Sequence, residues 1–389
     1  MQTVRCDILI AGGGLAGLSL LYRAVKDGLW NDKQIIVIDQ SDKDNNDKTW
    51  SFWGNGISVF EPVISHQWKQ LIFFTNDGQR ISLKSGGYTY NSIKSIDFYN
   101  YVLKELRSFE NISFVKDKIL NIQSAQNECI LSTPTVIYIA EYLFNSVYQQ
   151  PVLRKGDQYF LQHFKGWRIQ TKSVIPALSE AYLMDFRTNQ NQGTTFVYTL
   201  PMTSDEVFIE YTLFSKKVLA QQDYDQQLRT YITEVLKIEQ YDILEEEFGV
   251  IPMTDYAFKR FEGNIVHIGT AGGDTRASTG YTFTNTQKTI DKILDCYRVN
   301  GHPFFKQETI GIKQQLYDST LLNVLDNGDY QGARLFGDLF KGCRADIIFA
   351  FLDAETSILQ DLYVMKSLKW IPFIKCFSTA VFRRFFKSA

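Results

Sequence analysis

The sequence predicts an α/β fold: a Rossmann-like nucleotide-binding domain, a β-sheet substrate domain and a helical C-terminal region. Three observations carry this. The apolar run Asp7-Ile8-Leu9-Ile10-Ala11 enters a glycine turn and then a helix-like stretch. A second glycine-rich stretch, Ile268 to Thr282, follows another apolar run more than 250 residues later. Between them, residues 158–214 read as a succession of short strands.

The first element is a βαβ unit. β-branched residues in an apolar run suit a buried parallel strand. Gly12 allows a tight turn, Gly14 admits a pyrophosphate, and Gly17 packs the helix Leu15 to Lys26 on the strand. The helix start, with Leu15 and Ala16, offers unpaired N–H groups and a positive dipole end to phosphates. A second strand, Ile35-Ile36-Val37-Ile38, ends in Asp39, placed to accept hydrogen bonds from a ribose diol.

Further along, residues 41–60 are polar and then aromatic, which predicts a loop over the nucleotide. Residues 69–90 alternate like a hairpin with its turn at Asn76-Asp77-Gly78. Asp97 to Arg107 reads as a helix, and Val136 to Phe144 as a strand running into Asn145-Ser146. Strands are expected at 158–164, Ala181 to Arg187, Thr194 to Leu200 and Glu206 to Leu213. An amphipathic helix is expected from Asp223 to Ile238. Asn264 to Gly269 returns to a parallel-type strand, and from Thr284 the pattern is mostly helical. The predicted division is 1–157 with 250–300 for the nucleotide domain, 158–249 for the β-rich domain, and 301–389 for the helical region.

Two strand–glycine–helix signals this far apart suit FAD better than NAD. One FAD spans both signals, whereas a plain NAD dehydrogenase needs only the first. Gly269 and Gly280 shape the second signal. Asp274 is expected near the ribityl chain, with Tyr281 and Thr282 at a helix start aimed at the isoalloxazine. That dipole would stabilise negative charge on a reduced flavin.

Composition narrows the function. The 389 residues carry a net charge of -2, so no nucleic-acid partner is implied. Five scattered cysteines (Cys6, Cys129, Cys296, Cys343, Cys376) predict free thiols in a reducing compartment. Four histidines without ligand spacing argue against a metal site. The glycine loop starts too early for a signal peptide, and no apolar run reaches a membrane span. The 29 Phe, 21 Tyr and 6 Trp suit a large apolar substrate as well as a core.

Two strand segments carry acids: Leu183-Met184-Asp185-Phe186-Arg187 and Phe208-Ile209-Glu210-Tyr211-Thr212. Glu210 shares a face with Phe208 and Thr212. A carboxyl in an apolar pocket holds its proton and becomes a candidate general acid. The plainer reading is a solvated Glu, or one paired with Arg187.

These segments resemble the lycopene cyclase family of FAD-containing carotenoid cyclases. The matching elements are Gly12 to Gly17, Lys48-Thr49-Trp50-Ser51-Phe52, and Gln162-His163-Phe164-Lys165-Gly166-Trp167. They continue with Met184 to Arg187, Phe196 to Pro201, Phe208 to Thr212, Gly249 to Met253 and Gly269 to Phe283. The resemblance implies a redox-neutral, acid-catalysed cyclisation of lycopene and related carotenes to β-rings. It implies reduced FAD, kept reduced by NAD(P)H, and Glu210 as the acid. Many members follow that Glu with a second acid. Here Tyr211 takes the place, which leaves Asp185, beside Arg187, as the accessory carboxylate. A flavin monooxygenase or halogenase on an apolar substrate, and a non-catalytic carotenoid-binding flavoprotein, remain as alternatives.

Such a substrate lives in a bilayer. After Asp361 the chain has no acid, and residues 362–389 mix Lys366, Lys369, Lys375, Arg383, Arg384 and Lys387 with Trp370, Ile371, Phe373, Ile374, Phe377, Val381, Phe382, Phe385 and Phe386. This predicts an interfacial helix on the cytoplasmic membrane, with other carotenoid-pathway enzymes as neighbours. The alternative is a helix docked on the domain with a basic outer face.

Overall fold

A computed structural model describes residues 2–56, 58–172, 180–306 and 308–386. The chain builds three sheets and nine α-helices among the described residues. The strand Gln2–Ala11 lies between Val136–Asn145 and Ile35–Asp39, parallel to both. Ile112–Lys116 extends this first sheet on one side and Ile265–His267 on the other, again in parallel. A hairpin, Asn121–Ala125 with Glu128–Ser132, and the short antiparallel edge strand Phe261–Glu262 complete it. The helices Leu15–Lys26, Ser95–Leu106 and Phe283–Asn300 pack on one face around Ile8, Ile10, Leu21, Val102 and Ile290. The Rossmann-like expectation is met: a helix follows the first strand, and all the strands of the central run are parallel.

The second sheet has seven strands in the order Tyr241–Thr254, Tyr159–Thr171, Glu206–Ser215, Thr194–Pro201, Ala181–Asp185, Leu71–Phe74, Arg80–Leu83. It is wider than residues 158–249, because the hairpin at 71–83 joins its edge and its outermost strand runs on to Thr254. Odd and even residues face different layers. Ile209, Tyr211, Trp167 and Val197 pack under the helix Gln221–Thr230. Phe196, Tyr198 and Phe214 face the other way, toward the C-terminal helices Gly332–Gly342 and Ala345–Leu352. The helix expected from 223 to 238 is α-helical only to Thr230; Tyr231–Val235 forms a π-turn that buries Tyr231 and Ile232.

The aromatic stretch expected as a loop is instead the strand Thr49–Gly54. It pairs with Thr89–Lys94, which also pairs with His66–Trp68. Ring packing supplies the reason: Phe52 stacks on Phe283 with centroids 4.0 Å apart, and Trp53 lies 4.1 Å from Tyr281. This small sheet lies between the other two.

Candidate active site

The glycine turn behaves as its residue types demand. Gly12 sits at φ 96°, a left-handed conformation that favours glycine. Its N–H donates to Ile38 O (2.9 Å). A side chain at Gly17 would put Cβ 2.1 Å from Gly12 O, so the helix can approach the turn only as glycine. Gly14 opens the helix Leu15–Lys26 with no side chain capping it, and a Cβ there would meet no protein atom within 4 Å. The first amides, of Leu15, Ala16 and Gly17, have no carbonyl partner within the helix and lie at its positive end. Asp39 accepts from Gly13 N (2.7 Å) and Ser41 N (2.8 Å) and pairs with Lys43 (3.1 Å).

The second glycine stretch comes against the first. A Cβ on Gly269 would lie 3.0 Å from that of Ala16. Asp274, expected beside a ribityl chain, is turned inward. It is wholly buried, and its carboxylate accepts from Gly269 N, Arg260 and Thr289 Oγ1, each at 2.7 Å. A buried carboxylate holds whatever donors lie nearest, and here all three are protein groups. Its work is to fix the turn. Gly280, at φ 72°, has no side chain, and the buried Oε1 of Gln162, which has no hydrogen-bond partner, lies where its Cβ would be. Thr282 begins the helix Phe283–Asn300, and its Oγ1 donates to Gly280 O (3.1 Å).

Tyr281 joins this loop to the second sheet. Its hydroxyl lies 3.1 Å from that of Tyr90 and 3.3 Å from that of Tyr198. Glu210 is the direct cross-strand neighbour of Tyr198. It lies deep in the protein yet retains some accessible surface. Its hydrogen bond comes from Thr212 Oγ1 (2.8 Å). Burial, reinforced by the nearby Glu247 carboxylate, pushes the Glu210 carboxyl up to about 8.

Gly166 lies opposite Glu210 on one side and opposite Glu247 on the other. The three therefore form one row on one face. The ring of Phe208 covers Gly166, where a Cβ would fall 2.4 Å from its tip; Phe164 covers Gly249 in the same way. These paired glycines and rings make a flat aromatic floor around Glu210.

Asp185 and Arg187 are not part of this site. Asp185 pairs with Val197, whose side chain packs in the opposite layer, under the helix Gln221–Thr230. There the Asp185 carboxylate accepts from Arg187 Nη2 (2.6 Å) and Tyr231 OH (2.6 Å). A register shift between Tyr182 and Asp185 sets which face the acid takes. In its place the structure brings Glu247, Tyr90 and Tyr198 to Glu210, and none of these three was singled out from the sequence. The spacing Glu245, Glu247, Gly249 was the available signal for Glu247: an acid two residues before a glycine, on one face of an edge strand.

A cavity of about 500 Å³ lies behind Gly272 and Gly273, lined by Asp255, Arg260, Asp318 and Arg383. Glu210, Tyr198 and Tyr281 do not line it. It lies apart from the aromatic floor.

The model of the lycopene cyclase protein family matches residues 7–380. The chain belongs to the lycopene cyclase family. A lycopene beta-cyclase of Pseudescherichia vulneris is 24% identical over 312 residues, covering 77% of this chain and 76% of that protein. A lycopene beta-cyclase of Pantoea ananas is 25% identical over 259 residues, 64% of this chain and 62% of the relative. A chloroplastic neoxanthin synthase of Solanum lycopersicum is 26% identical over 304 residues, 71% of this chain; the match spans 57% of that longer protein. Among solved structures, a flavoprotein/dehydrogenase from Cytophaga hutchinsonii superposes with a TM-score of 0.63 at 8% identity, covering 98% of this chain and all of the other. A geranylgeranyl bacteriochlorophyll reductase-like protein from Thermoplasma acidophilum gives 0.56 at 12% identity over 98% and 97% of the two chains. At these identities the likeness is one of fold, and it is the α/β fold of flavoproteins that this lycopene cyclase family member shares.

Proposed function

We propose that this chain is a lycopene β-cyclase, closing the ψ ends of lycopene to β-rings without net oxidation or reduction. The observation that carries the reading is Glu210: a deep carboxyl, raised to about 8 and set on an aromatic floor beside three tyrosines. At neutral pH such a group carries a proton to give. Delivered to the terminal C=C of a ψ end, that proton leaves a tertiary cation. The C5=C6 double bond attacks it and closes the ring, and loss of a proton from C6 restores neutrality. Tyr198, Tyr90, Tyr281 and Phe208 line the space in which the cation forms, and aromatic faces attract cations.

FAD fits the residues present. Gly14 leaves an open cradle at an uncapped helix start, and Gln162 Oε1 is an orphaned acceptor beside Gly280. Gly12, Gly14, Leu15, Ala16 and Gly17 would hold the pyrophosphate, Asp39 the ribose, and Gly269 with Gly280 to Thr282 the flavin end. Reduced FAD, maintained by NAD(P)H, supplies negative charge that stabilises a nearby cation.

The C-terminal helix supports access from a membrane. Trp370–Phe386 buries Cys376 and Ala380 but exposes Trp370 (67%), Ile371 (70%) and Ile374 (57%). The preceding helix Ile358–Lys366 exposes Ile358, Leu359 and Leu362. An apolar patch beside Lys366, Lys369 and Lys375 suits an anionic lipid surface. Arg383 departs from the expected basic outer face: it turns inward to Asp255 (2.8 Å) and Ser319 (2.9 Å). Lys387 and the side chains of Phe385 and Phe386 lie outside the described residues. No helix among the described residues is long and apolar enough to cross a membrane.

Co-expression in a lycopene-producing bacterium tests the reading. Cyclised carotenes are expected, with one deuterium per ring in D₂O under anaerobic conditions with reduced FAD. A strict need for O₂, or oxygen in the product, would point to a monooxygenase instead. Unchanged lycopene bound to the protein would point to a pigment carrier.

A further inference from the structure

Glu247 has no role in the reading above, yet its placement is specific. It belongs to the edge strand Tyr241–Thr254 and stands opposite Gly166, which in turn stands opposite Glu210. Two strand spacings, about 10 Å, separate the backbones of the two acids. The residue between them has no side chain, and the ring of Phe208 fills its slot. An apolar ring thus lies between the two carboxyls.

The two acids differ in what holds them. Burial raises the Glu247 carboxyl above its ordinary value; against this, the Thr49 N–H (2.9 Å) and the nearby Lys48 charge favour the anion. Beside Glu247, a cavity of about 20 Å³, lined also by Ser51, Arg168 and Glu245, has room for one water. Glu210 faces the neutral phenols of Tyr198, Tyr90 and Tyr281 and receives the single hydroxyl of Thr212. Glu245 is itself taken up by Arg168 (3.1 Å) and Asn46 (2.9 Å), and Arg168 also binds Glu206 (2.9 Å). Lys94 lines the same small cavity on the Glu247 side. Of the two acids, Glu247 is the better supplied with groups that hold an anion, and Glu210 the more ready to keep a proton.

We propose that Glu247 is a positioning residue that acts across Gly166 to keep the Glu210 carboxyl in its protonated, proton-giving form. The inference rests on the reading of Glu210 as the acid of cyclisation. With Tyr211 in the position next to Glu210, the second acid comes from a strand two places away in the sheet. Two like charges in one low-dielectric site disfavour each other, so the proton goes to the acid with fewer donors. Coulomb's law at about 10 Å and an effective dielectric near ~20 gives an effect of about one pH unit on Glu210.

Infrared titration of the protein tests this without relying on turnover. The protonated-carboxyl band that vanishes in Glu210→Gln is assigned to Glu210. In Glu247→Gln, which retains an acceptor for Thr49 N–H, that band should titrate about one pH unit lower. Glu247→Asp keeps the charge and should leave it near its original position. In cyclisation assays, the alkaline limb of Glu247→Gln should move by the same amount, with about five-fold less activity at pH 8 and little change at pH 6. Glu247→Ala repeats the charge removal should the Gln variant not fold. A Glu210 band unmoved by loss of the charge, or moved as far by Asp as by Gln, overturns the proposal. So does a uniform loss of activity at every pH with the band unshifted. A chain that cyclises nothing at any pH would refute the proposed function, while the infrared result would still decide the coupling.

Discussion

The two faces of the seven-stranded sheet each bury a carboxylate, and they treat it in opposite ways. On the helix-covered face, Asp185 accepts from Arg187 N (2.9 Å), Arg187 Nε (3.0 Å), Arg187 Nη2 (2.6 Å) and Tyr231 OH (2.6 Å). The Arg187 guanidinium also lies 3.6 Å from the Phe74 ring centroid. On the aromatic face, Glu210 has one hydroxyl donor, from Thr212, and a second acid nearby. A charge that is fully paired stays charged and stabilises structure. One that is left nearly unpaired in an apolar space takes up a proton instead. Donor count, rather than burial, separates the two carboxyls of this sheet.

The sharpest test of the contrast is Glu210→Gln. It keeps the shape and the bond to Thr212 but cannot give a proton. Cyclisation should fall about 10²–10⁴-fold, the usual contribution of general acid catalysis, while FAD binding survives and the fold is not weakened. Near-normal turnover would place the proton source elsewhere.

Asp185→Asn should do the reverse. Removing one partner of a buried pair leaves Arg187 uncompensated, at about 3 kcal/mol given its partial exposure. Denaturant unfolding should show the loss, and activity per folded molecule should stay close to normal. A large fall in rate with unchanged stability would reverse the assignment of the two faces.

The same contrast appears in pH dependence. The Glu210 carboxyl is raised from an ordinary 4.5 to about 8, so between those values the folded state binds the proton and the unfolded chain does not. Stability therefore falls as pH rises through that window and is level above it. Glu210→Gln should remove that slope, gaining stability on the order of a few kcal/mol relative to the unaltered chain at pH 8. Activity should fall on the alkaline side as Glu210 loses its proton. Parallel unfolding curves for the two proteins across pH 5–8 would show that Glu210 is not the proton-holding group.

How much of this was legible in the sequence follows from what each feature depends on. The βαβ unit from Asp7 to Asp39 is local: strand, turn and helix are specified by adjacent residues, and the structure has them in order. Thr194–Pro201 and Glu206–Ser215 show in alternation for the same reason. Thr49–Gly54 did not, because aromatic residues at Trp50, Phe52 and Trp53 obscure period two and its partner lies 40 residues on. Tyr241–Thr254 did not, because an edge strand with three successive acids offers no apolar stripe. The face taken by Asp185 depends on a register shift, and register is decided by partners distant in sequence. The Glu210–Gly166–Glu247 row needs three strands in register at once, so no single segment announces it.

The smallest effects distinguish the two faces through single hydroxyls. Tyr231→Phe removes one hydrogen bond to a charged, fully buried Asp185, and bonds to charged groups are worth about 1.5–3 kcal/mol. Thr199, the other partner of that hydroxyl, loses its contact too. Stability should drop by that amount with the rate per folded enzyme unchanged. Tyr198→Phe removes a neutral contact to Tyr281 at 3.3 Å, worth about 0.5–1.5 kcal/mol at most. Its ring, which faces Glu210 and the space for the cation, remains. Unfolding should therefore barely move, and any change should be in cyclisation rate, measured at saturating carotene in the same preparation. The ordering of the two stability losses is the decisive quantity. If Tyr198→Phe destabilises the protein more than Tyr231→Phe, the aromatic face is held together as tightly as the ion-paired one, and donor count no longer explains why one acid is ionised and the other protonated.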